Sequence, residues 1–381
     1  MWKHVASNAM TLMIVVLVVL GGLISWAGNK FNADGPMEAA QFFEVQRGAS
    51  LRTVSNNLAE QGIVEFPALF RMGADYTERA DKLKYGNYEI PAHASMDQVL
   101  QILTEGGQSS FKYAVNFVIG NNGGELRLSE KNAGNGGSSI VEKFKGGDEA
   151  TPIYAQLVAD KTPMAYRVTI AEGLTSWQVL EGLKNADFLE GAAGDVPAEG
   201  SLAPDSYEVS RGSSIARMIE RMTLAQETIL AELWELRDGD LPLSTPQEAL
   251  ILASIIEKET GVSSERELVA SVFVNRLQRG MKLQTDPTVI YGITNGQGGL
   301  GRGLRQSELR RETTYNTYRI PALPPTPIAN PGYAAIKAAL QPGQSEFIFF
   351  VADGTGGHAF ARTLGEHNAN VRKWRAIEAD Q

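Results

Sequence analysis

TPQEALILASIIEKETG, from Thr245 to Gly261, is the stretch on which the reading of this chain turns. Thr245 offers a capping hydroxyl, Pro246 suits the first helical position and Glu248 falls in the first turn, so a helix starts at a definite place. From Ala249 to Ile256 the helix is apolar almost all round, which requires it to lie in the middle of a domain. Its last turn, ending near Gly261, carries two carboxylates, Glu257 and Glu259. There the helix dipole presents negative potential and the apolar turns before it reduce solvation, and both effects raise a carboxyl pKa. A glutamate kept protonated near neutral pH suits general-acid chemistry. Taken alone, a glutamate at a helix end is more often a solvated surface residue. Between the two, Glu257 is the better candidate: it stacks on small Ala249 and Ala253, which leave room beside it for a bulky sugar, whereas Glu259 stacks on Leu252 and Ile255.

Downstream, Ser264 to Glu267 has the pattern of a capping box, and Val269, Val272, Phe273 and Leu277 give the following helix a buried stripe that packs back on the first. Beyond Gly280 the loops are rich in amide, hydroxyl and aromatic groups. Gln284, Thr285, Asp286, Tyr315 and Asn316 are the candidate substrate contacts, since such groups match the hydroxyl edges and C–H faces of a carbohydrate. Any one of them by itself is as readily a turn or capping residue.

Upstream, Tyr166 to Gly173 alternates like a strand, Thr175 to Asn185 is helical, and Ser214 to Leu236 is a long amphipathic helix whose methionines are core filler. Residues 107–162 change character: NNGGE and NAGNGGSS punctuate weakly periodic sequence, which reads as an extended hairpin or partly flexible insert. Its glycines lack the Gly-Lys-Ser/Thr signature and strand-to-helix setting of a phosphate loop. Residues 42–106 read as a small module: a strand at Phe42–Gly48, a helix capped by Ser50, a helix at Pro67–Tyr76, a strand at Lys84–Pro91, and a helix from Ser95 with Gln98 completing its capping box. A short polar tether, Asn32 to Ala40, precedes it.

Met10 to Ala27 carries no charge and is long enough to cross a hydrocarbon core as a helix, with Lys3 before it and Trp26 at its outer end. A retained anchor with the rest of the chain outside is the expectation; small Ser25 and Ala27 keep a cleaved signal peptide as the alternative. The 381 residues leave room for two or three globular units, and a net charge of −9 argues against phosphate-mediated binding of nucleic acid. With Cys 0 there is no disulfide, thiol nucleophile, Cys-based zinc site or lipoprotein cysteine. His4, His93, His358 and His367 show no zinc-ligand spacing.

In order along the chain, ASIIEKET at Ala253, VASVFVNRLQRGMKLQTDPTVIYGI at Val269, YNTY at Tyr315, LPPTPIANPG at Leu323 and FVADGTGGHAF at Phe350 resemble the endolytic murein transglycosylase family, also called MltG or YceG-like. The resemblance is specific from about Thr245 to Asn368. It is looser over the anchor, over residues 42–106, which resemble that family's LysM-like subdomain, and over EGSLAPDSYEV at Glu199; residues 107–162 fall outside it. The fold it implies is α+β: a cytoplasmic tail and transmembrane helix at 1–30, the LysM-like module at 42–106, the Gly-rich insert, and a catalytic domain at 163–381 built on a buried central helix. The implied reaction is non-hydrolytic cleavage between N-acetylmuramic acid and N-acetylglucosamine in nascent peptidoglycan, leaving 1,6-anhydromuramyl ends, with Glu257 as catalytic residue and no metal or cofactor. The implied setting is the inner (cytoplasmic) membrane, single-pass, with a periplasmic catalytic domain beside membrane-bound peptidoglycan synthases. Two alternatives remain open: a hydrolytic muramidase with Asp286 as second carboxylate, and a non-catalytic glycan-binding scaffold.

Overall fold

A computed structural model describes residues 2–106, 110–134 and 136–379. Contacts divide the chain into two compact units, one comprising Met1–Val115, Leu128–Glu142 and Pro152–Ala165, the other Asn116–Arg127, Lys143–Thr151 and Tyr166–Gln381.

The first unit opens with α1 (Trp2–Asn32), whose segment Ala9–Asn32 is long and apolar enough to cross a membrane. Next come β1 (Gln41–Val45), α2 (Leu51–Glu60), α3 (Pro67–Tyr76), β2 (Gly86–Ile90) and α4 (Met96–Glu105). β1 and β2 pair antiparallel, with Phe43 opposite Tyr88. The expected caps form: Ser50 accepts from the Thr53 N–H, and Ser95 with Gln98 makes both halves of its box. Leu58, Phe70, Ile90, Leu100 and Leu103 close the core. This strand–helix–helix–strand–helix order is the small α+β module expected from the alternation of patterns.

The polar tether is a correction. Helix α1 runs through Asn32, and Phe31 is 7% exposed within the module core. Trp26 meets the Phe66 ring edge-on at 5.9 Å, and Lys30 reaches both Glu65 and the Phe66 ring. The chain that follows is bonded down, with the Gly35 N–H donating to His93 O and the His93 N–H to Met37 O. Polar composition suggested a free linker because the few apolar anchors, Phe31 and Met37, are too sparse to show a period.

Residues 107–162 are not a separate insert. They supply β3 (Tyr113–Gly120), β4 (Gly123–Lys131), β5 (Ser138–Lys145) and α5 (Pro152–Ala159), and are divided between the two units. Then follow β6 (Met164–Ile170), α6 (Ser176–Lys184), β7 (Leu189–Glu190), β8 (Ser206–Val209), β9 (Ser213–Ser214) and α7 (Ile215–Glu235). The main sheet has five strands in the order β5-β4-β3-β6-β8. Alternation accounts for it: Val115, Phe117 and Ile119 on β3 and Met164, Tyr166, Val168 and Ile170 on β6 are buried, with their neighbours facing outward. Adjacent β3 and β4, two residues apart in the chain, are the extended hairpin that the sequence offered as one reading.

The second unit is organised around α8 (Pro246–Glu259), with α9 (Arg266–Gln278), α10 (Asp286–Thr294), α11 (Gln306–Arg310), α12 (Tyr333–Leu340), the hairpin β10 (Phe349–Ala352) and β11 (His358–Ala361), and α13 (Leu364–Ala379). Thr245 caps α8 by accepting from the Glu248 N–H at 3.2 Å. Every residue from Ala249 to Ile256 is buried, as the all-round apolar pattern requires. The Ser264 capping box does not form. Ser263–Glu265 is a 3₁₀ turn and α9 begins at Arg266 without a side-chain cap; the Glu265 carboxylate accepts the His358 N–H and pairs with its ring.

Docking of α1 has a measurable consequence. Phe31→Ala in the full-length protein is expected to lower the stability of the first unit by about 3 kcal/mol, the range for truncating a buried aromatic. Unfolding in detergent checks this; an unchanged midpoint would mean that the end of α1 is a free tether after all.

Candidate active site

Glu257 emerges half-buried from the last turn of α8. One carboxylate oxygen, Oε2, accepts the Gly332 N–H at 2.9 Å; Oε1 makes no hydrogen bond among the described residues. Gly332 is the N-cap of α12, so the electropositive start of that helix faces the carboxylate while the electronegative end of α8 carries it. Desolvation is the strongest influence and pushes the Glu257 pKa up; the Gly332 bond opposes it, Glu172 adds to it, and Arg266 and Lys258 pull down. The net result is a carboxyl held above the ordinary glutamate range, as the helix end alone suggested.

The loops around Glu257 are tied together by Asn330, which is fully buried. Its Nδ2 donates to Leu174 O at 3.0 Å and Ser176 Oγ at 3.2 Å, while its Oδ1 accepts the Leu202 N–H at 2.9 Å. Its backbone completes the clasp, donating to Leu174 O and accepting from the Gly173 N–H. Gly173 has φ +75, a left-handed conformation that admits glycine without strain, and its carbonyl receives Lys258 Nζ at 3.1 Å. Gln226 of α7 braces the same region by donating to Gly200 O and Pro331 O, each at 3.1 Å. Ser254 holds the loop to α8 by accepting the Ile328 N–H at 3.0 Å.

Two further carboxylates that sequence reasoning did not single out belong here. Glu199 accepts the Ser176 N–H at 2.8 Å and the Tyr291 hydroxyl at 3.1 Å, and burial pushes its pKa up. Glu172 is exposed, on the turn between β6 and α6. Each lies next to a glycine in the chain, Glu172–Gly173 and Glu199–Gly200, and that pairing was the only local signal available.

Glu259 faces a different neighbourhood. Its carboxyl takes a short hydrogen bond from the Thr285 hydroxyl, and desolvation and Asp286 push its pKa up while Thr285, His358 and Arg276 pull down. A cavity of about 370 Å³ adjoins it, lined in part by Glu259, Thr260, His358 and Trp374. Two positions apart on a helix, Glu257 and Glu259 project about 200° from one another, so they serve separate surroundings.

The expected substrate contacts divide. Gln284 is exposed and holds φ +53, a left-handed conformation uncommon for a residue with a side chain. Asp286 is exposed and accepts the Tyr318 hydroxyl at 2.7 Å. Its charge adds to the upward push on the Glu259 pKa, while the carboxylate that does the same for Glu257 is Glu172. Tyr315 is half-buried, its ring 5.0 Å from that of Tyr291 and its hydroxyl 2.8 Å from Thr326 Oγ1. Thr285 is 2% exposed and committed to Glu259 and Thr317. Asn316 is fully buried, its amide donating to the carbonyls of Glu308, Leu309 and Arg311 and its Oδ1 accepting the Tyr318 N–H. For Thr285 and Asn316 the structure gives loop bracing in place of a group free to meet a sugar. The room expected beside Ala249 and Ala253 is also absent: both are fully buried, in the cluster that includes Ala335, Ala338 and Ala339 of α12.

Two outcomes follow from this geometry. Asn330→Ala strands buried carbonyl and amide groups and is expected to cost about 2–3 kcal/mol in denaturant unfolding. A change within error would show that the clasp is dispensable. Glu259→Gln tests the raised pKa. A carboxyl whose folded pKa lies above its unfolded value contributes stability that is complete below the unfolded pKa and lost as pH rises through the folded pKa. A neutral glutamine escapes that loss, so the variant should melt above the wild type at pH 8 and level with it near pH 3. Equal melting at both values would contradict the raised pKa.

Comparison with known proteins supplies the family. The family model described as YceG-like matches residues 43–132 and 143–373, most of the chain. Only residues 133–142 within this span lie outside it, which corrects the expectation that 107–162 as a whole is foreign to the pattern. The endolytic murein transglycosylase of Bacillus subtilis is 29% identical over 312 residues, covering 76% of this chain and 84% of that protein. The protein of the same name from Streptococcus pneumoniae is 27% identical over 350 residues, covering 86% of this chain and 57% of that longer one. A crystal structure of a YceG-like protein from Listeria monocytogenes shares 24% identity and a TM-score of 0.45, covering 87% of this chain and 98% of that one. By the extent of the family match, the chain belongs to the YceG-like family.

Proposed function

We propose that the protein is an endolytic murein transglycosylase that cuts peptidoglycan glycan strands without water, with Glu257 as its one acid–base residue. The observation that carries this is the half-buried Glu257 carboxyl, raised in pKa and held on one oxygen by a backbone N–H. The names of the Bacillus and Streptococcus relatives support the substrate class. In the proposed reaction, protonated Glu257 donates to the oxygen linking N-acetylmuramic acid to N-acetylglucosamine, and the bond from that oxygen to the muramyl C1 breaks. The muramyl C6 hydroxyl oxygen then closes on C1, and its proton returns to the Glu257 carboxylate. Atoms balance with no water consumed, and the carboxyl ends as it began.

A raised pKa suits both steps, since it keeps the acid form populated near neutral pH and makes the carboxylate a better base once the proton has left. The Gly332 N–H keeps the oxygen from rotating away between the steps. Exposed Gln284 and half-buried Tyr315 remain the proposed sugar contacts, together with Asp286, while Thr285 and Asn316 act by shaping the loops. The apolar α1 supports a single-pass anchor in the inner membrane with the catalytic unit in the periplasm, where nascent strands and membrane-bound synthases meet. There a cut would end chain elongation. In the LysM-like reading, the first unit holds the glycan.

Glu257→Gln is expected to fold normally and to lose at least 10² to 10⁴ in rate, or about 3–5 kcal/mol of barrier, because glutamine keeps the size but supplies no proton. Glu259→Gln should keep a substantial part of the activity. Mass spectrometry of products from purified glycan strands distinguishes the reactions: anhydro ends are lighter by one water than hydrolytic ends. Reducing ends from the wild type would make the enzyme a muramidase, and full activity in Glu257→Gln would remove the mechanism altogether.

A further inference from the structure

Gly332 has a carboxylate on each of two sides. Its N–H points to Glu257 Oε2, and the space a Cβ would occupy is filled by the Glu172 carboxylate. Any side chain at Gly332 would therefore collide with Glu172 at the same residue that holds Glu257. Glu172 is exposed and makes no hydrogen bond or ion pair among the described residues, so no fold contact of its side chain explains its presence there.

We infer that Glu172 is a positioning residue for the reaction: a carboxylate that shares the Gly332 platform with Glu257 and sets a like charge beside it. The inference rests on the reading of Glu257 as proton donor. A like charge beside a carboxyl disfavours the ionisation of that carboxyl, and burial of Glu257 already favours its acid form. The electrostatics agree, with Glu172 acting on Glu257 in the direction that favours the acid form.

The other charged groups around Glu257 come from its own helix and from α9. Lys258 is adjacent and turns its ammonium to Gly173 O, while Arg266 at the start of α9 acts across the gap with its Nε buried and unpartnered. Both favour the ionised form of Glu257, and so do the Gly332 N–H and the α12 terminus. Glu199 is bonded to Ser176 and Tyr291, and Glu259 projects elsewhere. Glu172 is thus the like charge set against two cations.

The test is the pH profile of cutting by the full-length enzyme on purified glycan strands. Activity requires protonated Glu257, so the alkaline limb of kcat falls as that proton is lost. Glu172→Gln removes the like charge and should move the limb to lower pH by about half to one unit, which is a three- to tenfold loss in kcat on the limb. KM should change little, and Glu172→Asp should restore most of the limb. Glu172→Ala is the second charge-removing variant should the glutamine fail to fold. An unmoved limb in a folded charge-removed variant, or a uniform loss at every pH, overturns the inference. Glu257→Gln is run alongside. If it is inactive while the limb of Glu172→Gln stays in place, only the role of Glu172 is lost; if Glu257→Gln still cuts, the reading of Glu257 falls first.

Discussion

The clasp formed by Asn330 is the interaction on which the site depends. One buried amide, with its own backbone, joins the turn after β6, the segment leading to Leu202 and the loop before α12. Each of these loops carries backbone groups that would be costly to bury unpaired. Side-chain and main-chain bonds from one residue satisfy several of them at once. The consequence reaches Glu257 directly, because Gly332, which holds its carboxylate, lies two residues beyond Asn330 on the same loop. Gln226 and Ser254 fix the flanks of that loop from α7 and α8. Misplacement by an ångström at a catalytic group is expensive, and a loop pinned at several points is how precision is obtained without a regular element.

At Glu257 two helices work against each other. The end of α8 and its burial favour the neutral acid, while the start of α12 favours the anion. A group that must donate and later accept a proton benefits from neither form being strongly fixed. Glu259 shows what happens with a different set of neighbours on the same turn: a hydroxyl committed to it, a carboxylate beside it, and a guanidinium and imidazole near by. The contrast arises from direction on the helix, since both residues share the same dipole.

In the first unit the same economy appears in another form. A long apolar helix ends in Trp26, Lys30 and Phe31, and each is used: the Trp26 ring against Phe66, the Lys30 ammonium at Glu65 and over Phe66, and Phe31 within the core. Helix and module are therefore joined through packed side chains as well as through the backbone. In a protein anchored by α1, that joint would limit how the module swings at the membrane.

The sequence by itself determined the elements whose information is local. The start of α8 follows from Thr245 and Pro246, its burial from unbroken apolar residues, and the small module from alternating patterns and its Ser50 and Ser95 caps. The preference for Glu257 over Glu259 was argued from room beside Ala249 and Ala253, and that room is filled by α12. In 107–162 the hairpin was one of two readings, and the structure supplies it in β3 and β4 with a further strand, β5, beside them. Only the tertiary structure decided which polar residues are free. Asn316 and Thr285 look like sugar contacts in a loop of amides and hydroxyls, yet both are buried and spent on neighbouring groups, while exposed Asp286 accepts the Tyr318 hydroxyl. The roles of Glu172 and of Asn330, which lies within the quoted LPPTPIANPG, could not be read for a related reason. Their partners are 85 and more residues away in the chain, so no periodicity or spacing records them. Hydrogen-bond saturation and the juxtaposition of charges are properties of the packed loops, and physics assigns them only once the chain has closed.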